Sequence, residues 1–189
     1  MSLAVLETAR LRLRQFADDD AAFVLELLNE PAWLRFIGDR GVRTLDDARA
    51  YIESGPRAMF ARHGFSLMVA ERATDGAALG MCGLIKRDTL PAPDIGYAFL
   101  PRYWGQGYAR EAVTLLLRYY FRELRYQKVT ILIYSFNDRS IRFHERFGFI
   151  PEGRLRRVVY THGTHYDELY FGLTTEEFDA LDPLDSLEG

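Results

Sequence analysis

The sequence predicts an α+β fold in which helices pack against a mixed β-sheet, and two patterns carry this prediction. Asp75-Gly76 lies between two apolar segments, which is a hairpin signal and indicates antiparallel pairing. Later, between residues 94 and 136, an apolar segment, a long amphipathic segment and a second apolar segment follow one another. That order requires a parallel crossover, so the sheet should be mixed. A chain of 189 residues with 48% hydrophobic residues fits one domain with a sizeable core.

Seven segments have the patterns of β-strands. The first, 10–16, alternates leucine with arginine or other polar residues, which predicts a strand with one buried face. Segment 128–136 is almost entirely apolar or β-branched, as expected of a strand that is covered on both faces. The predicted strands are 10–16, 66–72, 78–87, 94–100, 128–136, 153–160 and 166–173.

Helical patterns lie between these strands. Acids at the start of 18–28, and Pro31 after it, predict a helix that the proline ends. Thr44 and Asp47 have the spacing of a capping box and predict the start of a second helix, which Gly55-Pro56 should break. The remaining predicted helical segments are a short piece ending at 62, a long helix at 108–124, a short helix in 137–148 that Gly148 ends, and a last short helix or turn at 174–181.

The segment PRYWGQGYAREA places Gly105 and Gly107 directly before the long predicted helix. The first turn of a helix leaves about four N–H groups without partners and carries roughly half a positive charge, and glycines let an anion approach those amides. A dinucleotide fingerprint would need a third glycine where Arg110 stands, and the Gly-Lys-Ser/Thr of a P-loop is absent. By themselves the two glycines leave a phosphate cradle and a tight entry turn as alternatives.

The surrounding residues resemble one known family. Arg102-Tyr-Trp-Gly105-Gln-Gly107, followed by Tyr108-Ala109, resembles the R-x-x-G-x-G/A signature of the GNAT superfamily of acyl-CoA-dependent N-acyltransferases. DIGYAFLP resembles the strand before that signature, and NDRSIRFHERFGFIPEG resembles the family's N-x-x-S helix. LETARLRLRQFADDDAA and EGRLRRVVYTHGTHYDELYFGL resemble the two ends of the branch related to RimJ and RimL. The resemblance covers residues 6–173 in one consistent order.

The resemblance implies a GNAT-like fold, in which a mixed, twisted sheet of seven strands is flanked by helices and splayed between the fourth and fifth strands. It places acetyl-CoA in the splay, with its diphosphate on backbone amides before the long helix and its pantetheine arm along the fourth strand. Asn137 would contact that arm, whereas Ser140 could either contact it or cap the following helix. The implied cofactor-binding residues are Tyr97, Phe99, Leu100, Trp104, Gly105, Gln106, Gly107, Tyr108, Ala109, Asn137 and Ser140.

Two residues are candidates for proton transfer. Asp94 stands where many relatives carry a glutamate, so it could accept a proton from an amine through water; a solvated carboxylate is the alternative. His144 stands where the family often has a tyrosine that protonates the leaving thiolate. An imidazolium could donate a proton in its place, and a purely structural histidine is the alternative.

Composition argues against several other classes of protein. A formal net charge of −3 does not fit a nucleic-acid-binding protein, and no apolar run approaches the roughly 20 residues that cross a bilayer. Cys82 is the single cysteine and lies in an apolar strand, where we expect a buried thiol. His162 and His165 have no cysteine or carboxylate cluster near them, so no metal is expected. We therefore expect a cytoplasmic protein that binds neither nucleic acid nor membrane.

The resulting hypothesis is a single N-acyltransferase domain, 1–189, with a core at 6–173 and a solvated acidic tail at 174–189. It would transfer an acetyl group from acetyl-CoA to a primary amine by direct attack in a ternary complex. The amine could belong to a protein N-terminus or to a small molecule, and the protein could form a homodimer. The alternative function is a non-catalytic acyl-CoA-binding sensor or regulatory module. The sequence does not identify the acceptor.

Overall fold

A computed structural model describes residues 5–161 and 163–181 of the chain. Its strands are β1 (Leu6–Glu7), β2 (Leu11–Arg14), β3 (Leu67–Arg72), β4 (Ala78–Ile85), β5 (Asp94–Phe99), β6 (Lys128–Tyr134), β7 (Ile150–Thr161) and β8 (Thr164–Thr174). Its α-helices are α1 (Ala21–Asn29), α2 (Pro31–Phe36), α3 (Leu45–Ile52), α4 (Ala58–His63), α5 (Tyr108–Arg118), α6 (Asp138–Glu145) and α7 (Thr175–Leu181).

Within the described residues the strands form one mixed sheet in the order β1-β2-β3-β4-β5-β6-β8-β7. Neighbouring strands are antiparallel except for β5 and β6, which are parallel and share only the residue pair Asp94–Thr130. At that point the amide and the hydroxyl of Thr130 both donate to the Pro93 carbonyl, over 2.9 and 3.1 Å. Beyond it the two strands separate, so the predicted splay is confirmed. The sheet has one strand more than the seven expected, because Leu6–Glu7 adds a short edge strand.

Helices cover both faces of the sheet. On one face α5 buries Ala112 and Leu116, and the π-helical turn Tyr119–Glu123 that continues it buries Tyr120; the spacing of four residues predicted this packing. Leu11 and Leu13 of β2 are buried in the same cluster, as the alternating pattern requires, and Cys82 is buried there too. On the other face α1 and α3 pack on β3 and β4. None of the helices in the described part of the chain is long and apolar enough to cross a membrane.

The early helices confirm one terminus signal and correct two others. Thr44 and Asp47 form the predicted capping box, with each side chain accepting a hydrogen bond from the other residue's amide. Pro31 was expected only to end the first helix, but it is also the first residue of α2. At that position its fixed φ and its missing N–H are favourable. Gly55-Pro56 does not break the chain of helices; a π-helical turn, Glu53–Arg57, accommodates the proline and continues into α4.

The segment after residue 173 is partly built into the core. Thr175–Leu181 forms α7, and the ring of Phe178, which is 1% exposed, lies 5.0 Å from that of Phe121. The expectation of a solvated tail is therefore wrong for α7. Residues 182–189 lie outside the described residues, as does His162.

Candidate active site

A cleft of about 1240 Å³ passes through the splay between β5 and β6. We call one end of it the loop end, which is lined by the segment before α5 and the start of α6. We call the other the carboxylate end, which is lined by Asp94, Glu168, Arg87 and residues of α1 to α4. Because side chains alternate along a strand, Asp94 lies on the sheet face that α1 to α4 cover, and Tyr97 lies on the opposite face, against α6. The cleft thus connects the two faces of the sheet.

At the loop end, Gly105 and Gly107 both have a left-handed backbone, with φ of +74° and +85°. A Cβ on Gly105 would have no atom within 4 Å, so its backbone angle and not a lack of space selects glycine there. Gly107 is the N-cap of α5, and its carbonyl accepts the first helical bond from Glu111. Among the described residues, no acceptor pairs with the amides of residues 105–109. Such a row of free N–H groups at a helix start fits an anion.

Two of the residues predicted for this anion site contribute less than expected. The amide of Trp104 donates to the Pro101 carbonyl over 3.1 Å and is therefore not free. Gln106 does not line the cleft, because its side chain donates back to the Arg102 carbonyl over 3.0 Å. Its backbone amide remains free. The Trp104 ring does line the cleft, and the guanidinium of Arg139 lies 4.5 Å from its centre, which puts a positive charge at the loop end.

The edge of β5 that faces the splay carries part of the predicted pantetheine contact. Tyr97 and Phe99 both line the cleft. The Phe99 carbonyl accepts a hydrogen bond from the Trp104 indole over 2.7 Å. Leu100, the third residue predicted for this contact, does not line the cleft, because its amide donates to the Leu79 carbonyl on the β4 side and its side chain is buried in the core.

Asn137 and Ser140 divide the roles that the sequence left open. Asn137 is the N-cap of α6, since its Oδ1 accepts the Ser140 amide over 3.2 Å. Capping is therefore the task of Asn137 and not of Ser140. The Asn137 Nδ2 group has no partner in the described part of the chain, and both side chains line the cleft. The Ser140 hydroxyl lies 3.4 Å from that of Tyr97.

Asp94 is buried, which rules out the solvated alternative. The residue is 2% exposed, and its Oδ2 accepts a hydrogen bond from Arg87 Nε over 2.6 Å. Its Oδ1 is buried and has no partner among the described residues. Burial raises the pKa of Asp94 to about 6, an effect that the Arg87 cation and the backbone amide of Leu132 only partly offset. The carboxyl group is thus a stronger base than an ordinary aspartate and is still mostly ionised at pH 7.

Sequence reasoning missed a second carboxylate in the cleft, Glu168. It lies on β8 in register with Tyr134 of β6, is partly buried, and lines the carboxylate end. No residue in the described ranges forms a hydrogen bond or ion pair with it, and burial raises its pKa. The signal in the sequence was the alternation of Tyr166, Glu168 and Tyr170, which puts an acid on the same strand face as two aromatic residues.

Phe36 lines the carboxylate end and packs against aromatic rings outside the cleft. The ring of Phe136 stacks 5.9 Å from that of Phe36 and lies 4.5 Å from that of Tyr166. Trp33 and Phe36 both line the carboxylate end, with the Trp33 indole held by a 3.0 Å bond to the Gly38 carbonyl. This end therefore combines negative charge with apolar surface.

His144 does not lie in the cleft. Its side chain is fully buried among aromatic rings, with those of Tyr97 and Phe149 5.4 and 5.1 Å away. Its Nδ1 donates to the Ser140 carbonyl over 2.8 Å, which fixes the tautomer and leaves Nε2 without a proton. Burial lowers its pKa to about 4. A neutral ring without access to the cleft does not fit the predicted donor, so the structure favours the structural alternative.

Comparison with known proteins gives the family. The profile described as "Acetyltransferase (GNAT) domain" matches residues 10–150. Among relatives from Bacillus subtilis, YkkB is 35% identical over 80% of this chain and 88% of its own length. The SPbeta prophage-derived N-acetyltransferase YokL is 51% identical over 41% of this chain and 44% of its own length. The structure of RimL, a ribosomal L7/L12 alpha-N-protein acetyltransferase in complex with coenzyme A, shares the fold with a TM-score of 0.78 at 18% identity, over 90% of this chain and 98% of that one. The chain therefore belongs to the GNAT acetyltransferase family.

Proposed function

We propose that the protein transfers an acetyl group from acetyl-CoA to a primary amine while both substrates occupy the cleft. One observation carries the proposal: a single cleft joins a row of unpaired amides at the loop end to the buried, unpaired Oδ1 of Asp94 at the carboxylate end. The first feature suits a diphosphate and the second suits an amine. Membership of the GNAT family supports acetyl transfer as the reaction.

The residues of the loop end fit acetyl-CoA, which when bound supplies an acetyl group activated as a thioester. Amides 105–109 would hold the diphosphate, with the Arg139 guanidinium close by. The free edge of β5 and the Nδ2 group of Asn137 would hold the amides of the extended pantetheine arm. The relative RimL, solved with coenzyme A, has the same fold.

Asp94 would serve as the general base. A lysine-like amine with a pKa of about 10.4 must lose a proton before it attacks, at a cost of roughly 4 to 5 kcal/mol at pH 7, whereas an N-terminal amine with a pKa of about 8 needs only about 1. Raising the pKa of Asp94 from 3.8 to about 6 strengthens this base by about 3 kcal/mol. Its Oδ1, directly or through one water, would accept the proton as the new N–C bond forms and the C–S bond of the thioester breaks. The thiolate would leave without a protein acid and take its proton from water, since a thiol pKa of about 8.5 makes this cost only about 2 kcal/mol at pH 7.

The carboxylate end would bind the acceptor. Glu168 forms no hydrogen bond or ion pair in the described ranges, and Arg87, the cation near it, is bonded to Asp94, so the charge of Glu168 could attract an ammonium group. Trp33 and Phe36 offer an apolar surface for the carbon chain that carries the amine. Both a small-molecule amine and a protein N-terminus meet these requirements.

Calorimetry with acetyl-CoA, followed by free-thiol release with an amine panel, tests the proposal. The panel contains spermidine, lysine amide and short peptides with free N-termini, assayed at pH 7.5. We expect saturable binding of acetyl-CoA and thiol release that depends on at least one amine. Binding without amine-dependent release would favour the acyl-CoA sensor, and absence of binding would overturn both functions.

A further inference from the structure

Two residues of the segment before β2, Thr8 and Arg10, contact the loop end of the cleft on the side that faces away from the cleft. Arg10 Nη2 donates to the Gln106 carbonyl over 2.7 Å, between residues 96 positions apart in the chain. The same guanidinium lies 4.5 Å from the centre of the Tyr108 ring and 3.5 Å from the carboxylate of Glu111. The hydroxyl of Thr8 donates to that carboxylate as well. These contacts connect the N-terminal segment to both the loop and the first turns of α5.

The bond to Gln106 sets the direction of an amide in the anion site. In a planar trans peptide, the C=O and the following N–H point in opposite directions. Because the Gln106 carbonyl points to Arg10, the N–H of Gly107 points away from it. Gly105 and Gly107, on either side of Gln106, give the loop more backbone freedom to lose than other residues would. The hydrogen bond from Arg10 to Gln106 restricts the loop before a ligand binds, so less conformational entropy is lost on binding.

Arg10 also compensates a charge that would oppose an anion. Glu111 is only 6% exposed and lies one turn after the N-terminus of α5. Without Arg10, its carboxylate would be a partly uncompensated negative charge close to any bound phosphate. The neighbouring Arg12 offers a contrast, because it pairs with Glu7 over 2.9 Å and with Glu71 over 4.0 Å and, in the described part of the chain, forms no hydrogen bond or ion pair with the loop.

We propose that Arg10 is a positioning residue for the cofactor, and that with Glu111 and Thr8 it holds the loop end in the conformation that binds the diphosphate. The proposal rests on the proposed function, which identifies that diphosphate as part of acetyl-CoA. Arg10 acts indirectly, because it orders the backbone amides of the loop, and those amides contact the diphosphate.

The test compares Arg10→Met with the matched control Arg12→Met, by calorimetry with acetyl-CoA and by steady-state kinetics with any amine that supports thiol release. We expect R10M to raise both the Kd and the KM for acetyl-CoA at least tenfold while kcat stays within twofold. R12M should leave all three values within twofold. Arg10→Lys keeps the charge but not the planar fork, so it should give an intermediate Kd. An R10M protein that binds acetyl-CoA as tightly as the unmodified protein would overturn the proposal.

Glu111→Gln separates positioning from simple charge attraction. The substitution weakens the contact between Arg10 and α5 but leaves the Arg10 charge in place, so we expect the Kd for acetyl-CoA to rise at least threefold. If Arg10 acted only as a nearby cation, removing the Glu111 charge would tighten binding, and that result would overturn the positioning role.

A truncated donor distinguishes a local effect from general damage. S-acetyl-N-acetylcysteamine lacks the diphosphate, so R10M and the unmodified protein should use it at equal rates. An equal loss with both donors would overturn the proposal. If the unmodified protein fails to bind acetyl-CoA, the proposed function itself falls, whereas binding that is unchanged in R10M removes only the role of Arg10.

Discussion

Asp94 on β5 and His144 on α6 are both buried ionisable side chains, and each has one polar atom without a partner among the described residues. Desolvation favours the neutral form of each, so it raises the pKa of Asp94 to about 6 and lowers that of His144 to about 4. The two residues differ in access. Asp94 lines the cleft beside Arg87, whereas His144 is enclosed by rings that include those of Tyr97 and Phe149. A shifted pKa therefore marks burial in both regions, and only Asp94, which lines the cleft, is placed where a substrate could meet it.

The largest expected effect comes from Asp94→Asn. Because this change removes the proposed base, we expect kcat/KM for the amine to fall at least 100-fold, while the Kd for acetyl-CoA stays within twofold. In the unmodified protein, activity should rise with pH through an inflection near 6, where Asp94 loses its proton, and the variant should lack this inflection. Thiol-release rates between pH 5 and 8.5 measure both effects. A variant that retains a tenth or more of the activity would rule out Asp94 as the base.

The same substitution tests the burial of Asp94 through stability. The folded-state pKa of about 6 exceeds the unfolded value of 3.8, so the native state holds the proton more tightly and loses stability as pH rises through this window. Asn carries no charge, so D94N should gain stability relative to the unmodified protein between pH 4 and 7, by up to about 3 kcal/mol. Urea unfolding at these two pH values measures the change. A constant difference would contradict the raised pKa.

A smaller effect is expected from Glu168→Gln, which tests whether the charge of Glu168 contributes to binding of the amine. Loss of this charge should raise the KM for a cationic amine about tenfold and leave kcat within threefold. The matched control is Glu176→Gln, because Glu176 is exposed on α7 outside the cleft. Initial rates at varied amine concentration provide the two constants. A lowered kcat with unchanged KM would instead assign Glu168 to the chemical step.

The smallest effect on turnover is expected from His144→Phe, since the ring has no access to the cleft. We expect kcat within twofold, and a tenfold loss would restore the donor role. Stability at acid pH should change more. The folded-state pKa of about 4 lies below the unfolded value of 6.5, so the unmodified protein loses stability as pH falls through this range. Relative to H144F, that loss should amount to about 3 kcal/mol between pH 7 and 4 by urea unfolding.

The sequence alone was sufficient for features that depend on neighbouring residues. The mixed sheet, the Thr44 capping box and the helix start after Gly107 were predicted from residue patterns, because turns, caps and left-handed glycines follow local rules. The splay was expected only from the resemblance to the GNAT family. The row of amides that suits a diphosphate belongs to this group, since a helix start creates it regardless of the rest of the fold. The π-helical passage through Pro56 was not predictable in this way, because packing of the early helices overrides the local preference of proline.

Only the tertiary structure decided which of the candidate groups face the cleft. Glu168 reaches the carboxylate end because β8 pairs with β6 in one register, and a shift of one residue would turn its side chain to the other face. The rotation of α6 buries His144 while leaving Ser140 in the cleft. The sequence thus determined the elements and the row of free amides before α5. The pairing of distant strands and helices decided where the charges lie, because register and burial arise from contacts that no local pattern contains.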